Sequence, residues 1–477
     1  MQKVNVQTSL GDVYEDLCSS IDNNKSLFLM QLKEHIKLEE LIPSEFYEAY
    51  YKDIGRPRDY SLESFIWFHQ LKNIIGIPRD KAFLTVLELS PEIRDFCGFD
   101  KVPSASDITR FRQHFAQYLG LMLERLVEIT EPICRKLDPK KSDYLIYDPT
   151  GIKAYVAENN PKFLNGKLNQ AKAIAKKNPE YDPYKGMYSL LPETSKANLF
   201  VKHQYINGHF CYAHKGGIIT NGMGIVRGIY LFDEQFKSKH PAIVSQKTDN
   251  PDFDKEIGDS TSLKPVLSDF FAAHPTFSYK TFIGDSSFDS YDNYKMLCND
   301  FHFERICIPL NPRNSGTAHT DFDDNGTPVC PLDKTPFTFH SISGGKNRSK
   351  RFKWVCHKSI RRKGSSTHIC TCDTPCTKSS YGRCVYTYSS KNLRLYPGIP
   401  RGTEHWDNLY RHRFYIERTI NIFKDDFGVA HRRAYSQITA KVDFFLAGIT
   451  QLLGVILADS INQPNLFKSV RKLISAA

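Results

Sequence analysis

Short strand-like runs alternate with helical stretches through the middle of the chain. FCYAHKGG (210–217), GIVRGIYLF (224–232), KTFIGD (280–285) and ERICIPL (304–310) read as strands. Residues 262–273 and 289–299 read as helices among them. Strands that alternate with helices need a sheet with helices on its faces, so this region is predicted to be α/β. An earlier run, DYLIYD at 143–148, is also strand-like and, like KTFIGD, ends on an aspartate. Asp143 begins that strand and is expected to be exposed.

The flanks differ. Residues 1–138 read as helical, with apolar residues at helical spacing in LESFIWFHQLKNIIG (62–76) and SDITRFRQHFAQYLGLMLERLVEIT (106–130). Ser106 can cap the second of these helices, with Pro103 just ahead of it. Arg110, Arg112 and His114 near its start suit either a DNA-facing helix or a solvated basic face. The lysine-rich run 161–177 has no acid and reads as a mobile arm or insertion.

From 312 to 404 the character changes again. Six of the twelve cysteines fall between Cys330 and Cys384, and 341–363 holds nine Lys/Arg and no acid. This reads as a basic Cys-rich insertion dividing the α/β core (139–311) from a helical end (405–477). Cys370, Cys372, Cys376 and Cys384 could close a tetrahedral Zn²⁺ site, but the spacing is not that of a standard finger, and reduced free thiols are the competing account.

The most specific pattern lies in EHWDNLYRHRFYIERTINIFKDDFG (404–428). Tyr410, Arg413, Glu417 and Lys424 stand at +3, +7 and +14. On one regular helix they fall within about 60° of arc. Such a stripe is a poor core face, because burying charge without partners is costly, and a good lining for a polyanion site. A solvated helix carrying an i,i+4 Arg413–Glu417 pair would fit the spacing equally.

That Y-x2-R-x3-E-x6-K stripe resembles the signature of a branch of bacterial insertion-sequence transposases of the DDE class. LIYDPTGIKAY (145–155) is similar to their first-aspartate strand, FIGDSSFDSYDNY (282–294) to their second-aspartate motif, and 59–115 to their helical N-terminal domain. The likeness spans about 59 to 450. It implies an RNase H-like core and a catalytic, metal-binding triad of Asp148, Asp285 and Glu417. Two Mg²⁺ (or Mn²⁺) ions would be held, Asp148 bridging both, Asp285 on one and Glu417 on the other. Tyr410, Arg413 and Lys424, with Arg110 and Arg112, would contact DNA, and Trp354 or Trp406 could stack on an extruded base. Asp289, four residues after Asp285, is a rival ligand unless it caps the following helix.

The implied partner is double-stranded DNA, both element ends and target, held by a homodimer. A net charge of +11 fits a polyanion. MQKVNVQTSLGDVYEDL has no signal-peptide pattern, and the longest apolar run, Phe444–Ala458, is too short to span a membrane and reads as a buried helix. A cytoplasmic protein with reduced or metal-bound cysteines is expected. Two other functions stay open on this sequence: a nuclease that does not join strands, and a DNA-binding derivative without catalysis.

Overall fold

The computed structural model describes residues 26–468, except 53–54, 207–208, 245–256, 313–320, 346–347, 363, 365–366 and 434. The N-terminal stretch read for a signal peptide lies outside the described residues. The four sequence segments fold as two compact units. One comprises Met1–Ile133, Phe423–Arg433 and Lys441–Ala477; the other comprises Cys134–Ile422 and Ala434–Ala440.

The first unit is helical. Leu62–Ile75 is capped by Ser61, stopped by Gly76 in the left-handed conformation, and buried along nearly its whole length. The reading of 106–130 as one helix is corrected. Two helices, Ala105–His114 and Ala116–Leu137, meet at Phe115. The cap is Ser104, not Ser106, because Ser104 and Asp107 close a reciprocal capping box. Helix Gln437–Ser460 contains the 444–458 run. By length and composition it could cross a membrane, but 89% of its apolar window is buried inside the protein.

A charged network runs through this unit's interior. Asp80 takes Lys72 and Arg112; Asp443 takes Arg112 at 3.1 Å and Arg432 at 2.7 Å. Arg432 also reaches Asn73, and Thr450 is hydrogen-bonded to Asn73 and Gln70. Burial, followed by the Arg432 charge, pushes Lys72 down to about 8. Burial works to raise Asp80, but Lys72 and Arg112 outweigh it and hold the carboxyl well below its usual range. Every charge here has a partner of opposite sign, which buried charge requires.

The second unit is built on a mixed six-stranded sheet with helices. Its strands are β1 (Tyr144–Lys153), β2 (Lys202–Ile206), β3 (His209–Asn221), β4 (Val226–Leu231), β5 (Thr281–Ile283) and β6 (Arg305–Cys307). β1 is central. On one side it pairs antiparallel with β3, whose far edge carries β2 and β4. On the other it pairs parallel with β5, and β5 with β6. A core including Leu145, Tyr147, Leu267, Phe270, Phe282 and Phe288 lies against the sheet. β2 went unread in the sequence.

Residues 161–177, read as a mobile arm or insertion, are largely helical. Pro161–Ala175 is an α-helix capped by Asn160, with Pro at its first position and Ala171 fully buried. The Cys-rich segment forms a sheet of β7 (Thr338–Gly345), β8 (Arg348–Val355) and β11 (Cys384–Tyr388), plus a ribbon of β9 (Ser359–Arg361) and β10 (His368–Cys370). Its small core holds Cys330, Phe337, Phe352, Trp354, Cys356 and Tyr396. The chain leaves this segment along β6, where Ile306 donates to the Pro397 carbonyl, and Arg401 is buried against the Ile308, Arg394 and Leu395 carbonyls and the Tyr294 hydroxyl.

Candidate active site

β1 does not stop at Asp148 as the sequence suggested; it continues to Lys153. What ends near Asp148 is the parallel pairing. The last pair of β1 and β5 is Ile146 with Ile283. Asp148 lies two residues past Ile146, and Asp285 two past Ile283. The two carboxylates are therefore level, at the C-terminal end of the parallel pair. Pro149, which has no N–H to donate, sits where β5 no longer needs one. The Asp285 carboxylate accepts from the Ser287 amide at 2.7 Å and so caps the short turn Ser286–Phe288.

The third carboxylate comes from helix Arg413–Asn421. Thr419 donates to the Gly224 carbonyl at 2.6 Å in the turn between β3 and β4. Gly224 has φ +82°, and a Cβ there would meet Thr419 Oγ1 and the Tyr415 carbonyl at 3.0 Å. Only glycine gives this helix its seat. Gly224→Ala is expected to cost about 1–2 kcal/mol from the backbone alone, read as a lower unfolding midpoint. Unchanged stability would mean the turn holds the helix some other way.

Arg413 stands among the three acids. Its Nη2 is 3.1 Å from Asp285 Oδ2 and 3.7 Å from Asp148 Oδ1, and its Nη1 pairs with Glu417 Oε1. The side chain of Asp148 is 19% exposed, against 39% for Asp285 and 44% for Glu417, so Asp148 lies deepest. Burial raises its carboxyl to about 7; Arg413 opposes that rise, while Asp285 and Glu417 add to it. Among the described residues no three His, Cys, Asp or Glu side chains form a ready-made metal site. At the carboxylates, a guanidinium holds the place between them. Arg413 Nε is buried without a hydrogen-bond partner, a donor left for a further acceptor.

The remaining predicted residues divide. Tyr410 is near the site, and burial raises its phenol, with Arg413, Asp285 and Glu417 all acting on it. Its ring stacks on Trp406 at 4.9 Å. The single helical stripe is corrected, because the helix is not continuous. Tyr410 ends helix Glu404–Tyr410, Arg413 opens the next, and Lys424 lies in a π-helical turn, Ile422–Asp426, where it is buried and engaged. A π turn adds a residue per turn and rotates Lys424 off the expected line.

Arg112 does not face DNA: it is buried between Asp80 and Asp443. Arg110 is exposed and pairs with Asp107. Trp354 is 2% exposed, its indole N–H bound to Thr387 Oγ1 and its ring against Phe339 and Phe352, so no face is open to a base. Cys384 sits in β11 opposite Val355, and Cys372 donates its S–H to the Thr374 carbonyl at 3.3 Å. Asp143 is only partly exposed, and burial raises its carboxyl.

Asp289 is neither cap nor rival ligand. It is fully buried, receives Arg394 through Nε at 2.9 Å and Nη2 at 2.6 Å, and accepts from the Asn311 amide and the Tyr294 hydroxyl. Ser290 caps the following helix instead. Sequence reasoning missed Arg394, whose partner Asp289 lies 105 residues away, and Arg401, which reaches Ile308 and Tyr294 at 93 and 107 residues.

Residues 16–114 match the family model of a transposase domain, Transposase domain (DUF772). That match supports a transposase. No curated protein matches the chain.

Proposed function

We propose that this chain is the DNA transposase of an insertion sequence and works by metal-dependent DDE chemistry. In this reading it binds the terminal inverted repeats, hydrolyses phosphodiester bonds at the element ends and joins the freed 3′-hydroxyls to target DNA. One observation carries it: Asp148 and Asp285 stand level on adjacent parallel strands, and Glu417 from a later helix closes on the same guanidinium. The sheet order supports an RNase H-like core, with β1 central, antiparallel strands on one side and parallel strands on the other.

The donor set suits Mg²⁺ or Mn²⁺. Three carboxylates offer hard oxygens, and a guanidinium already holds positive charge among them. Bound divalent ions would activate the attacking oxygen and neutralise the leaving one. Asp148, Asp285 and Glu417 would hold them. Arg413, with its unpartnered Nε, and Tyr410 would bind the phosphates beside the cut. Trp406 and Tyr410 offer a stacked aromatic pair for a displaced base. Exposed Arg110 is available to a DNA backbone. Two ends must be held at once, so the working form is a dimer on DNA in the cytoplasm.

The test is a strand-transfer assay. The purified chain is given a labelled element-end duplex and a plasmid target, with Mg²⁺ or with EDTA. Joined product that needs Mg²⁺ and vanishes in Glu417→Gln is expected. Cleavage without joining would make the chain a nuclease, and binding without any Mg²⁺-dependent product would sink the enzyme reading.

A second measurement probes Asp148 as a ligand. Its carboxyl sits at about 7, so the metal must displace a proton below that pH. Mg²⁺ affinity, followed by calorimetry, is expected to fall about tenfold per pH unit below pH 7 and to level off above it. A flat profile from pH 6 to 8 would remove Asp148 from the ligand set.

A further inference from the structure

Helix Pro161–Ala175 follows the strand that carries Asp148, and its start is fixed to the end of that strand. Asn159, just ahead of the helix, is buried and has both ends of its amide engaged. Its Nδ2 donates to the Ala154 carbonyl at 2.8 Å and the Tyr212 carbonyl at 2.7 Å, and its Oδ1 accepts from the Tyr212 amide at 2.9 Å. Ala154 directly follows β1, and Tyr212 lies in β3. Glu158, also buried, accepts from Ser195 Oγ at 2.8 Å and from the Lys196 amide at 2.9 Å. Asn160 then caps the first turn.

The two sides of this helix differ. Its covered side centres on Ala171, which is fully buried, with Leu164 and Leu168 partly buried beside it. Lys162, Lys172 and Lys176 are exposed and lie away from that side. At about 100° per residue they fall within about 80° of arc, with Asn165 and Asn169 among them. There is no Asp or Glu from 159 to 179. Among the described residues no carboxylate pairs with the three lysines.

A helix that merely faces water gains from Glu and Lys placed four apart; this one has no such pair, and Lys172 and Lys176 repel each other at that spacing. Asn165, Gly166 and Asn169 are weak helix formers. Nor does packing ask for Gly166, since a Cβ there would meet nothing within 4 Å. Each of these choices weakens the helix by itself. Each suits a face that meets a polyanion: acids would repel it, lysines and amides donate to phosphates, and glycine lets a backbone come close.

We infer that helix Pro161–Ala175 docks on the backbone of duplex DNA, with Lys162, Lys172 and Lys176 on phosphates. Lys162 and Lys176 stand about 21 Å apart along the helix axis, and a duplex presents one charge for about every 1.7 Å of its own axis. The identity of the occupant rests on the transposase reading. The anchor on β1 gives the contact its use: a duplex held here is held in register with the strand that bears Asp148.

The test is binding of the full chain to a labelled element-end duplex across a salt series, in EDTA so that no cleavage is involved. Lys162→Gln, Lys172→Gln and Lys176→Gln together are expected to weaken binding about thirtyfold or more near 0.1 M salt and to lower the slope of log K against log salt by about 2.7. Gly166→Glu places an acid in open space on the same side and is expected to weaken binding about tenfold. Both variants should unfold no earlier than wild type, because one relieves the lysine repulsion and the other replaces a helix glycine, so lost binding is not lost folding. A control that changes Lys81, Lys101 and Lys295 to Gln alters net charge equally at exposed positions elsewhere and should bind as wild type does. Unchanged affinity and slope in the helix variants, an equal loss in the control, or no binding by the wild type overturns the inference. A chain that binds through this helix and joins no strands in Mg²⁺ upholds it and sinks the strand-transfer reading instead.

Discussion

Asp148→Asn is expected to abolish Mg²⁺-dependent strand transfer and, without metal, to make the protein more stable. The loss should reach about three orders of magnitude or more, since the amide removes a charged ligand from the centre of the site. The stability gain follows from burial. Asp148 has its carboxyl raised to about 7 from an ordinary 3.8. The sign is fixed by which state holds the proton more tightly, and here that is the folded one. The ionised carboxylate therefore costs stability at pH values above about 7, and the cost fades as pH falls, vanishing below the unfolded value near 4. Asparagine removes that cost, worth on the order of 2–4 kcal/mol at pH 8 and nothing near pH 4. Thermal unfolding of both proteins at the two pH values, with and without Mg²⁺, checks it. Excess Mg²⁺ should stabilise the wild type and leave the variant unmoved. A variant less stable than wild type at pH 8 would show that Asp148 is held as a favourable ion pair with Arg413.

Asp443→Ala carries the largest expected cost to stability. Its carboxylate is 1% exposed and receives Arg112 and Arg432, both largely buried. Removing one acid strands two guanidinium groups away from water. A loss of about 3–5 kcal/mol is expected, typical of breaking a buried ion pair from one side. Asp443→Asn should recover part of it, keeping an acceptor but no charge. Urea unfolding of the three proteins separates these outcomes. An alanine variant within about 1 kcal/mol of wild type would mean that water or Asp80 satisfies both arginines.

The candidate site was legible in the sequence because its signals are local. Asp148 and Asp285 were singled out by the resemblance of LIYDPTGIKAY and FIGDSSFDSYDNY to two aspartate motifs, and the β1–β5 register sets them level. Arg413 and Glu417 are four apart on one helix, and their pairing follows from helical geometry. The misreadings share a physical cause. Periodicity says which face a residue is on and nothing about what covers that face. Arg112 looked like a surface arginine because Asp443, its partner, is 331 residues away. Asp289 looked like a cap or ligand because Arg394 is 105 residues away. Trp354 sits in a basic stretch, but alternation along β8 turns it inward. Lys424 was misplaced by a π turn, which no spacing rule anticipates.

The Arg394–Asp289 pair also bears on how such a chain can vary. Asp289 is four residues from Asp285 and belongs to the same loop, while Arg394 stands near the exit of the Cys-rich segment. The pair constrains one end of that segment and not its body. Its exit is not free: a replacement that fails to return an arginine to this point leaves the buried Asp289 carboxylate without its ion-pair partner, four residues from Asp285. Variation should therefore be wide in the body of the segment and narrow at its last dozen residues, a boundary set by electrostatics rather than by the fold of the segment itself.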